Sequence, residues 1–370
     1  MKILVLSSHT PSLFWFRMDM MKAFQKAGAE VTAVGNEPED KWAHKFKEFG
    51  ITYRAIPVSR NGLNVAADIT TYKALKKLIK EERPDKIFAY QAKTIVYGIL
   101  AAHTADKSIE NYPLVAGLGS IFRGTGLKSK LVRTVLSAQY KLAFRRSQKV
   151  IFQNSDDRDE LISRGLLKGS QAEIINGSGV NLAKFTVQPL SSQRAILFIG
   201  RLIRDKGVGE YLELARRIKE RYGDVRCLLV GPYDTNPSAI TPEDLKPLID
   251  TGVVEYFGEQ SDVRPYINEC TVYVLPSYHE GTPKTVLEAM ASGRPVVTTD
   301  APGCRETVVD GENGFLVAVK DVDQLETAVA KILDDAELAQ RLGGRSREMA
   351  EDKYDVEKVN ASILRIMQIN

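Results

Sequence analysis

The sequence predicts an α/β protein built from two doubly wound, Rossmann-like domains facing across a cleft, each a parallel sheet wrapped by helices. Three observations carry that expectation. Short β-branched runs alternate with longer amphipathic stretches, the pattern of repeated strand–helix–strand units. The alternation halts at a polar segment containing Pro189 and then begins afresh. The chain has 370 residues, which at about 150 residues per domain suffices for two separate cores.

In the first half, strands are expected at residues 3–6, 30–34, 52–57, 86–90, 114–116 and 150–152. Helices are expected between them, at 14–27, 67–82, 93–105 and 128–146. Residues 186–193 lack periodicity and read as a linker. Strands then follow at 195–199, 225–230, 253–257, 272–275 and 295–299, with helices at 208–221, 264–270 and 284–291. From Asp321 the tail is mostly helical, without repeats. The expected division is therefore a domain over residues 1–185, the linker over 186–193, a domain over 194–353, and a helix over 354–370. That last helix has the option of packing back on the first domain. Sheets of this kind bind ligands at the carboxyl ends of their strands, so two facing sheets place a site in the cleft between them.

Composition narrows the function. Charged residues make up 26% of the chain and apolar ones 44%, with 51 basic against 47 acidic side chains. That balance suits a soluble globular protein and not a dedicated nucleic-acid binder. Cys227, Cys270 and Cys304 show no CxxC spacing, which argues against a disulfide framework or zinc site and for a reducing cytosol. The apolar run after Met1-Lys2 is too short for a signal peptide, and no run is long enough to span a membrane.

Several motifs fail. The turn after the first strand is Ser7-Ser8-His9-Thr10-Pro11 rather than GxGxxG, so a dinucleotide reading is set aside. Gly119 and Gly124 have phosphate-loop spacing, but the Lys-Ser/Thr that should follow is missing. Asp157-Arg-Asp159 and Asp321-Val-Asp323 match the DxD metal pattern, yet both stand where a helix should begin and complement its dipole. His9, His44, His103 and His279 lack ligand spacing, and no serine sits in a GxSxG elbow.

Two motifs carry chemistry. Glu280-Gly281-Thr282-Pro283-Lys284 follows a strand, and Glu288 stands eight positions after Glu280. Gly281 permits a tight turn and Pro283 suits the first helical turn, leaving N–H groups there for an anion or a sugar hydroxyl. Two carboxylates at different depths suit two polyol groups along one ligand; an ordinary loop feeding a helix is the other reading. The second motif is Gly200-Arg201 through Lys206-Gly207, at the end of the second domain's first strand. Its two cations suit a diphosphate, with a solvated basic loop as the alternative.

Gly200-Arg201…Lys206-Gly207, Leu229-Val230-Gly231, Phe257-Gly258, Pro276-Ser277, Glu280…Glu288 and Asp310-Gly311-Glu312-Asn313-Gly314-Phe315 occur in one order. That order resembles family 4 of the retaining glycosyltransferases (GT4), which have the GT-B fold. The resemblance implies a nucleotide-sugar donor held mainly by the second domain and an acceptor bound by the first. Glu280 would bind donor-sugar hydroxyls, Glu288 the ribose, and Arg201 and Lys206 the diphosphate. Arg201, Lys206 and Glu280 are thus the catalytic candidates; Gly200, Phe257, Gly258, Gly281, Thr282, Pro283, Lys284 and Glu288 complete the donor side. Phe16-Arg17, Pro84-Asp85, the segment 117–122, Phe152-Gln153-Asn154 and Pro302-Gly303-Cys304-Arg305-Glu306 look like a bacterial subgroup. Members build capsule, O-antigen and N-glycan precursors on polyprenyl diphosphate, often moving an N-acetylated amino sugar from UDP.

Two departures touch the acceptor side. The histidine that many members carry after the fifth strand is replaced within Val115-Ala-Gly117-Leu118-Gly119, and the glycine-rich first turn is replaced by His9-Thr10-Pro11-Ser12. His9, Arg17, Asp19, Gly119 and Arg123 are the acceptor-side candidates. Residues 127–146 carry Lys128, Lys130, Arg133, Lys141, Arg145 and Arg146 on an amphipathic pattern. Such a helix can lie on an anionic membrane or cover the sheet with its apolar face.

The expectation is a retaining, metal-independent glycosyltransferase without cofactor. It would move a hexose or N-acetylhexosamine from a UDP-sugar to a polyprenyl-diphosphate-linked saccharide. It would work at the cytoplasmic face of the inner membrane and bind no nucleic acid. The rivals are a GT-B nucleotide-sugar epimerase, which would need acid/base side chains not visible here, and a non-catalytic nucleotide-sugar-binding protein.

Overall fold

The computed structural model describes residues 1–59, 64–119, 122, 126–236 and 238–369. The chain forms two units, Met1–Ser178 with Val356–Asn370, and Gly179–Asp355.

In the first unit, Ile3-Leu4-Val5-Leu6 is inaccessible on every side chain, as a strand covered on both faces requires. This strand, β1 (Lys2–Leu6), pairs in parallel with β2 (Glu30–Gly35) and β4 (Lys86–Tyr90), Ile3 lying opposite Val31 and Lys86. With β3 (Thr52–Ala55), β5 (Glu110–Val115), β6 (Val150–Phe152) and β7 (Ala172–Ile174) the sheet runs β3-β2-β1-β4-β5-β6-β7. One face carries α1 (Thr10–Lys26) and α2 (Glu39–Lys47), whose Phe24, Trp42 and Phe46 share an aromatic core. The other carries α3 (Val65–Glu82), α4 (Ala92–Ala105) and α5 (Leu127–Phe144). Next comes α6 (Ser155–Ser163), begun by Asn154, whose side chain accepts from the Asp157 N–H.

In the second unit, β8 (Ala195–Ile199) lies between β9 (Arg226–Val230) and β11 (Val272–Leu275). The order is completed by β10 (Glu255–Tyr256), β12 (Val296–Thr299) and β13 (Gly314–Val317) as β10-β9-β8-β11-β12-β13. Its helices are α7 (Val208–Tyr222), α8 (Pro242–Asp250), α9 (Arg264–Glu269), α10 (Lys284–Ala291), α11 (Val322–Asp334) and α12 (Ala336–Lys353). The three cysteines are buried and unpaired.

Several expectations change. The fifth strand starts at Glu110, not at residue 114. Pro113 hides it, since proline argues against a central strand. It is accommodated because β6 pairs with β5 only from Leu114 onward. The stretch expected as a linker, 186–193, lies inside the second unit, where the buried Arg294 guanidinium donates to the Pro189 carbonyl at 3.3 Å. The units divide instead at Ser178–Gly179 and Asp355–Val356. The last helix, α13 (Val356–Ile366), belongs to the first unit, with Val359 and Ile363 in the core beside Phe24.

Candidate functional site

Chain connectivity gathers the second unit's candidates at the carboxyl ends of its strands. After β8 the chain makes a short turn over Arg204–Lys206 and enters α7 through Gly207, at φ 73°. A Cβ on Gly207 would sit 2.0 Å from the Pro276 carbonyl oxygen, so only glycine lets this turn lie against the loop after β11. The Tyr278 N–H and Ser277 Oγ donate to the Asp205 carbonyl, at 3.0 and 3.1 Å, and fix the approach. The outcome is an ion pair between Lys206 Nζ and Glu280 Oε1.

The loop after β12 buttresses Glu280 from the other side. The Glu280 N–H donates to the Pro302 carbonyl at 2.8 Å. Gly303, at φ 80°, packs so closely that a Cβ would lie 2.2 Å from the Glu280 carbonyl oxygen. Pro283 is the N-cap of α10 with extended ψ 109°, not a member of its first turn as expected, and the helix begins at Lys284. Glu280, Gly281, Thr282 and Pro283 are all buried.

Glu288 lies one turn into α10 and is 8% exposed. Among the described residues its carboxylate accepts no hydrogen bond. Burial pushes its pKa up to about 7, against the pull of Lys284 and Lys184. The two glutamates thus differ in kind, one salt-bridged and one a largely buried acceptor that no donor among the described residues engages.

Arg201 Nη1 pairs with Asp234 Oδ2 at 2.7 Å. Asp234 follows β9 in Gly231-Pro232-Tyr233-Asp234 and was not among the expected residues; no motif spacing marks it. Both expected diphosphate ligands are therefore engaged by carboxylates, which a diphosphate would have to replace or share. Nearby, the Gly200 N–H donates to Val230 and the Gly231 N–H to Gly258, at 3.0 and 2.8 Å. Phe257 packs against Tyr266 with ring centroids 4.7 Å apart.

The acceptor-side candidates are scattered over the first unit. His9 is the N-cap of α1, where its carbonyl accepts from Ser12 Oγ at 2.7 Å. Arg17 is buried on α1, over the Tyr90 ring. Asp19 is half-buried two positions on, a spacing at which helix side chains do not face each other. Gly119 is exposed at φ 69°. Arg123 lies outside the described residues. The DxD aspartates serve helix starts: Asp157 is buried against Asn154, and Asp321 caps α11 by accepting from the Gln324 N–H at 2.9 Å. Among the described residues no group of three or more His, Cys, Asp or Glu side chains is placed to hold a metal ion.

Residues 193–335 match the family described as "Glycosyl transferases group 1" and residues 2–154 the one described as "Glycosyl transferase 4-like". A Campylobacter jejuni relative is N,N'-diacetylbacillosaminyl-diphospho-undecaprenol alpha-1,3-N-acetylgalactosaminyltransferase. It is 32% identical over 352 residues, covering 91% of each chain. The capsular polysaccharide biosynthesis glycosyltransferase CapM of Staphylococcus aureus is 25% identical over 310 residues, 78% of this chain and 79% of that one. Among solved structures, sucrose-phosphate synthase from Thermosynechococcus elongatus superposes with a TM-score of 0.82 at 18% identity, covering 99% of this chain and 98% of that one. Anabaena HepE in complex with UDP-glucose gives 0.78 at 17%, covering 100% and 99%.

Proposed function

The chain belongs to the GT4-like glycosyltransferases of the GT-B fold, and we propose that within this family it transfers an N-acetylhexosamine or hexose from UDP to a polyprenyl-diphosphate-linked saccharide, with retention. The observation that carries the donor half is the grouping of Arg201, Lys206 and Glu280 on connections after strands of one sheet, with Glu288 on the helix that one of them feeds. That set offers two cations for a diphosphate, a buttressed carboxylate for sugar hydroxyls and a largely buried acceptor for a ribose. The acceptor half rests on the Campylobacter relative, whose name places a diphospho-undecaprenol sugar on its acceptor. As the sugar leaves, Arg201 and Lys206 stabilise charge growing on the diphosphate, usually the largest catalytic term. The acceptor hydroxyl attacks from the face the donor vacates and passes its proton to the departing phosphate oxygen, so no separate base is required.

Mass spectrometry of a synthetic lipid-diphosphate-sugar acceptor, incubated with a panel of UDP-sugars, tests the reading. One added sugar with an α linkage is expected from one UDP donor. Transfer to a free sugar lacking the lipid diphosphate at equal efficiency would overturn the acceptor assignment. Because the two cations already answer the diphosphate charge, turnover should persist in EDTA. A loss restored by Mg²⁺ or Mn²⁺ would overturn the metal-independent reading.

No helix among the described residues is long and apolar enough to cross a membrane. What supports a surface role is α5, which buries Tyr140, Ala143 and Phe144 in the sheet core. It also leaves Leu131, Val135 and Leu142 exposed, at 67%, 41% and 44%. These three form an outward stripe at helical spacing, on a stretch whose six basic residues are accompanied by no acidic one. We assign this face to the anionic cytoplasmic surface of the inner membrane. Arg133 and Arg146 are engaged by backbone, donating to the Phe122 and Leu142 carbonyls at 2.8 and 2.6 Å. Each charge contributes about 1 kcal/mol near an anionic surface. Replacing Lys130, Lys141 and Arg145 by Gln should thus cut cosedimentation with anionic vesicles by about 100-fold, and high salt should do the same. Equal binding to neutral vesicles, or no effect of the substitutions, would return α5 to a purely structural role.

A further inference from the structure

Three Lys or Arg residues are buried among the described residues: Arg17, Lys86 and Arg294. Lys86 pairs with Glu110, and Arg294 donates to the carbonyls of Pro189 and Asn268. Arg17 has neither kind of partner. It is 4% exposed, its Nη1 donates to Ser178 Oγ at 3.3 Å, and its Cζ lies 5.0 Å from the Tyr90 ring centroid. Its Nε has no hydrogen-bond acceptor, and no carboxylate among the described residues pairs with it. Burial lowers its pKa, yet a guanidinium stays charged at any physiological pH. An ion removed from water without a counter-charge costs more than the Ser178 and Tyr90 hydroxyls and one ring return. The resting protein carries that cost, and something must justify it.

The surroundings are built as a ligand site is built. Tyr90 ends β4, and β4 pairs with β1 where the strand order reverses, β3-β2-β1-β4. Ligands of open α/β sheets sit outside the strand ends at such a reversal. Gln91, the next residue, holds φ 72°, a region that side chains other than glycine rarely occupy. Its Oε1 accepts from Ser7 Oγ, Ser8 N and Ser8 Oγ at 2.9, 2.8 and 2.8 Å. Ser12 Oγ and the Tyr90 hydroxyl lie 2.8 Å apart and complete the layer beneath the guanidinium.

We propose that Arg17 anchors an anion site in the first unit, and that the anion is a phosphoryl group of a diphosphate substrate. The choice of substrate rests on the proposed function, while the existence of the site does not. Two sources share the chemistry, the acceptor's diphosphate and the donor's.

The test uses Arg17→Met and Arg17→Lys in the full chain, with inorganic pyrophosphate as the probe. A background carrying both Arg201→Ala and Lys206→Ala keeps the second unit's cations from dominating the signal. Arg17→Met should unfold at the same temperature as its parent or higher, because an uncompensated charge has gone. It should lose protection by pyrophosphate, which Arg17→Lys should keep in part. In the otherwise native chain, Arg17→Met should raise a substrate KM by at least about 10-fold. A rise for the lipid-linked acceptor assigns the site to the acceptor, and a rise for the UDP-sugar assigns it to the donor. Pyrophosphate protection that depends on Arg17 in a protein transferring no sugar to any lipid diphosphate would keep the site and defeat the proposed acceptor. A lower unfolding temperature in Arg17→Met with pyrophosphate protection unchanged would make Arg17 a structural residue and overturn the inference.

Discussion

Lys206→Ala should lower turnover by about 30- to 1000-fold, and Arg201→Ala by a comparable factor, the range for losing one electrostatic contact that strengthens in the transition state. The resting ion pairs shape how this is read. Lys206 meets a carboxylate that is only a tenth exposed, so Lys206→Ala also removes a counter-charge from a largely buried Glu280. A loss of stability is therefore expected beside the loss of rate. Lys206→Ala with Glu280→Gln should recover the stability without the rate, which separates the two effects. Arg201 differs, because its pair with Asp234 is 38% exposed on the arginine side, where such pairs contribute little. Arg201→Ala should leave the unfolding temperature close to native while turnover falls. Asp234→Asn should tighten UDP, since the guanidinium no longer has to be released. Initial rates with saturating acceptor, and calorimetry with UDP, supply both readouts. Near-native turnover in both alanine variants would place the diphosphate elsewhere.

Much of this arrangement is legible in the chain before folding. Runs such as Ile3–Leu6 and Ala195–Ile199 announce central parallel strands, because a strand buried on both faces can hold only apolar residues. Glu280 and Glu288 are found by their spacing around a strand-to-helix turn. Pairings made by loops distant in sequence are not legible. Asp234 reaches Arg201 across 33 positions, and Gly303 reaches the Glu280 backbone across 23. Neither leaves a local pattern. α2 is not legible because Trp42 and Phe46 are its only two buried residues, too few for a periodicity. The segment 186–193 looked like a linker because it is polar and contains proline. Those properties describe a chain without regular structure, not one without contacts, and Arg294 holds it in the second unit. Arg17 was visible as a residue, but the missing counter-charge that makes it informative exists only once α1 lies over Tyr90.

Glu288→Gln should weaken UDP by about 10- to 100-fold at pH 8, the cost of losing charge-assisted acceptance of a hydroxyl in a buried site. The pH dependence gives the sharper test. Burial has raised the Glu288 pKa from 4.5 to about 7 in the ligand-free protein. On the proposed reading ribose hydroxyls donate to the ionised carboxylate, so UDP should bind the deprotonated form and lower that pKa in the complex. Affinity should be flat above about pH 7 and fall as pH drops below it, by up to about tenfold per unit. Glu288→Gln should abolish this slope, and a UDP analogue lacking both ribose hydroxyls should show none in the native chain. Stability runs the opposite way. An acid whose pKa is raised by folding stabilises most below its unfolded value, and that contribution is lost as pH rises from 4.5 to about 7. The loss across that window is of order 3 kcal/mol. Glu288→Gln should therefore raise the unfolding temperature at pH 8 and change it little at pH 4.5. A native protein whose UDP affinity shows no step near pH 7, or a glutamine variant that binds UDP as tightly as the native chain, would remove Glu288 from the ribose and leave its burial as packing alone.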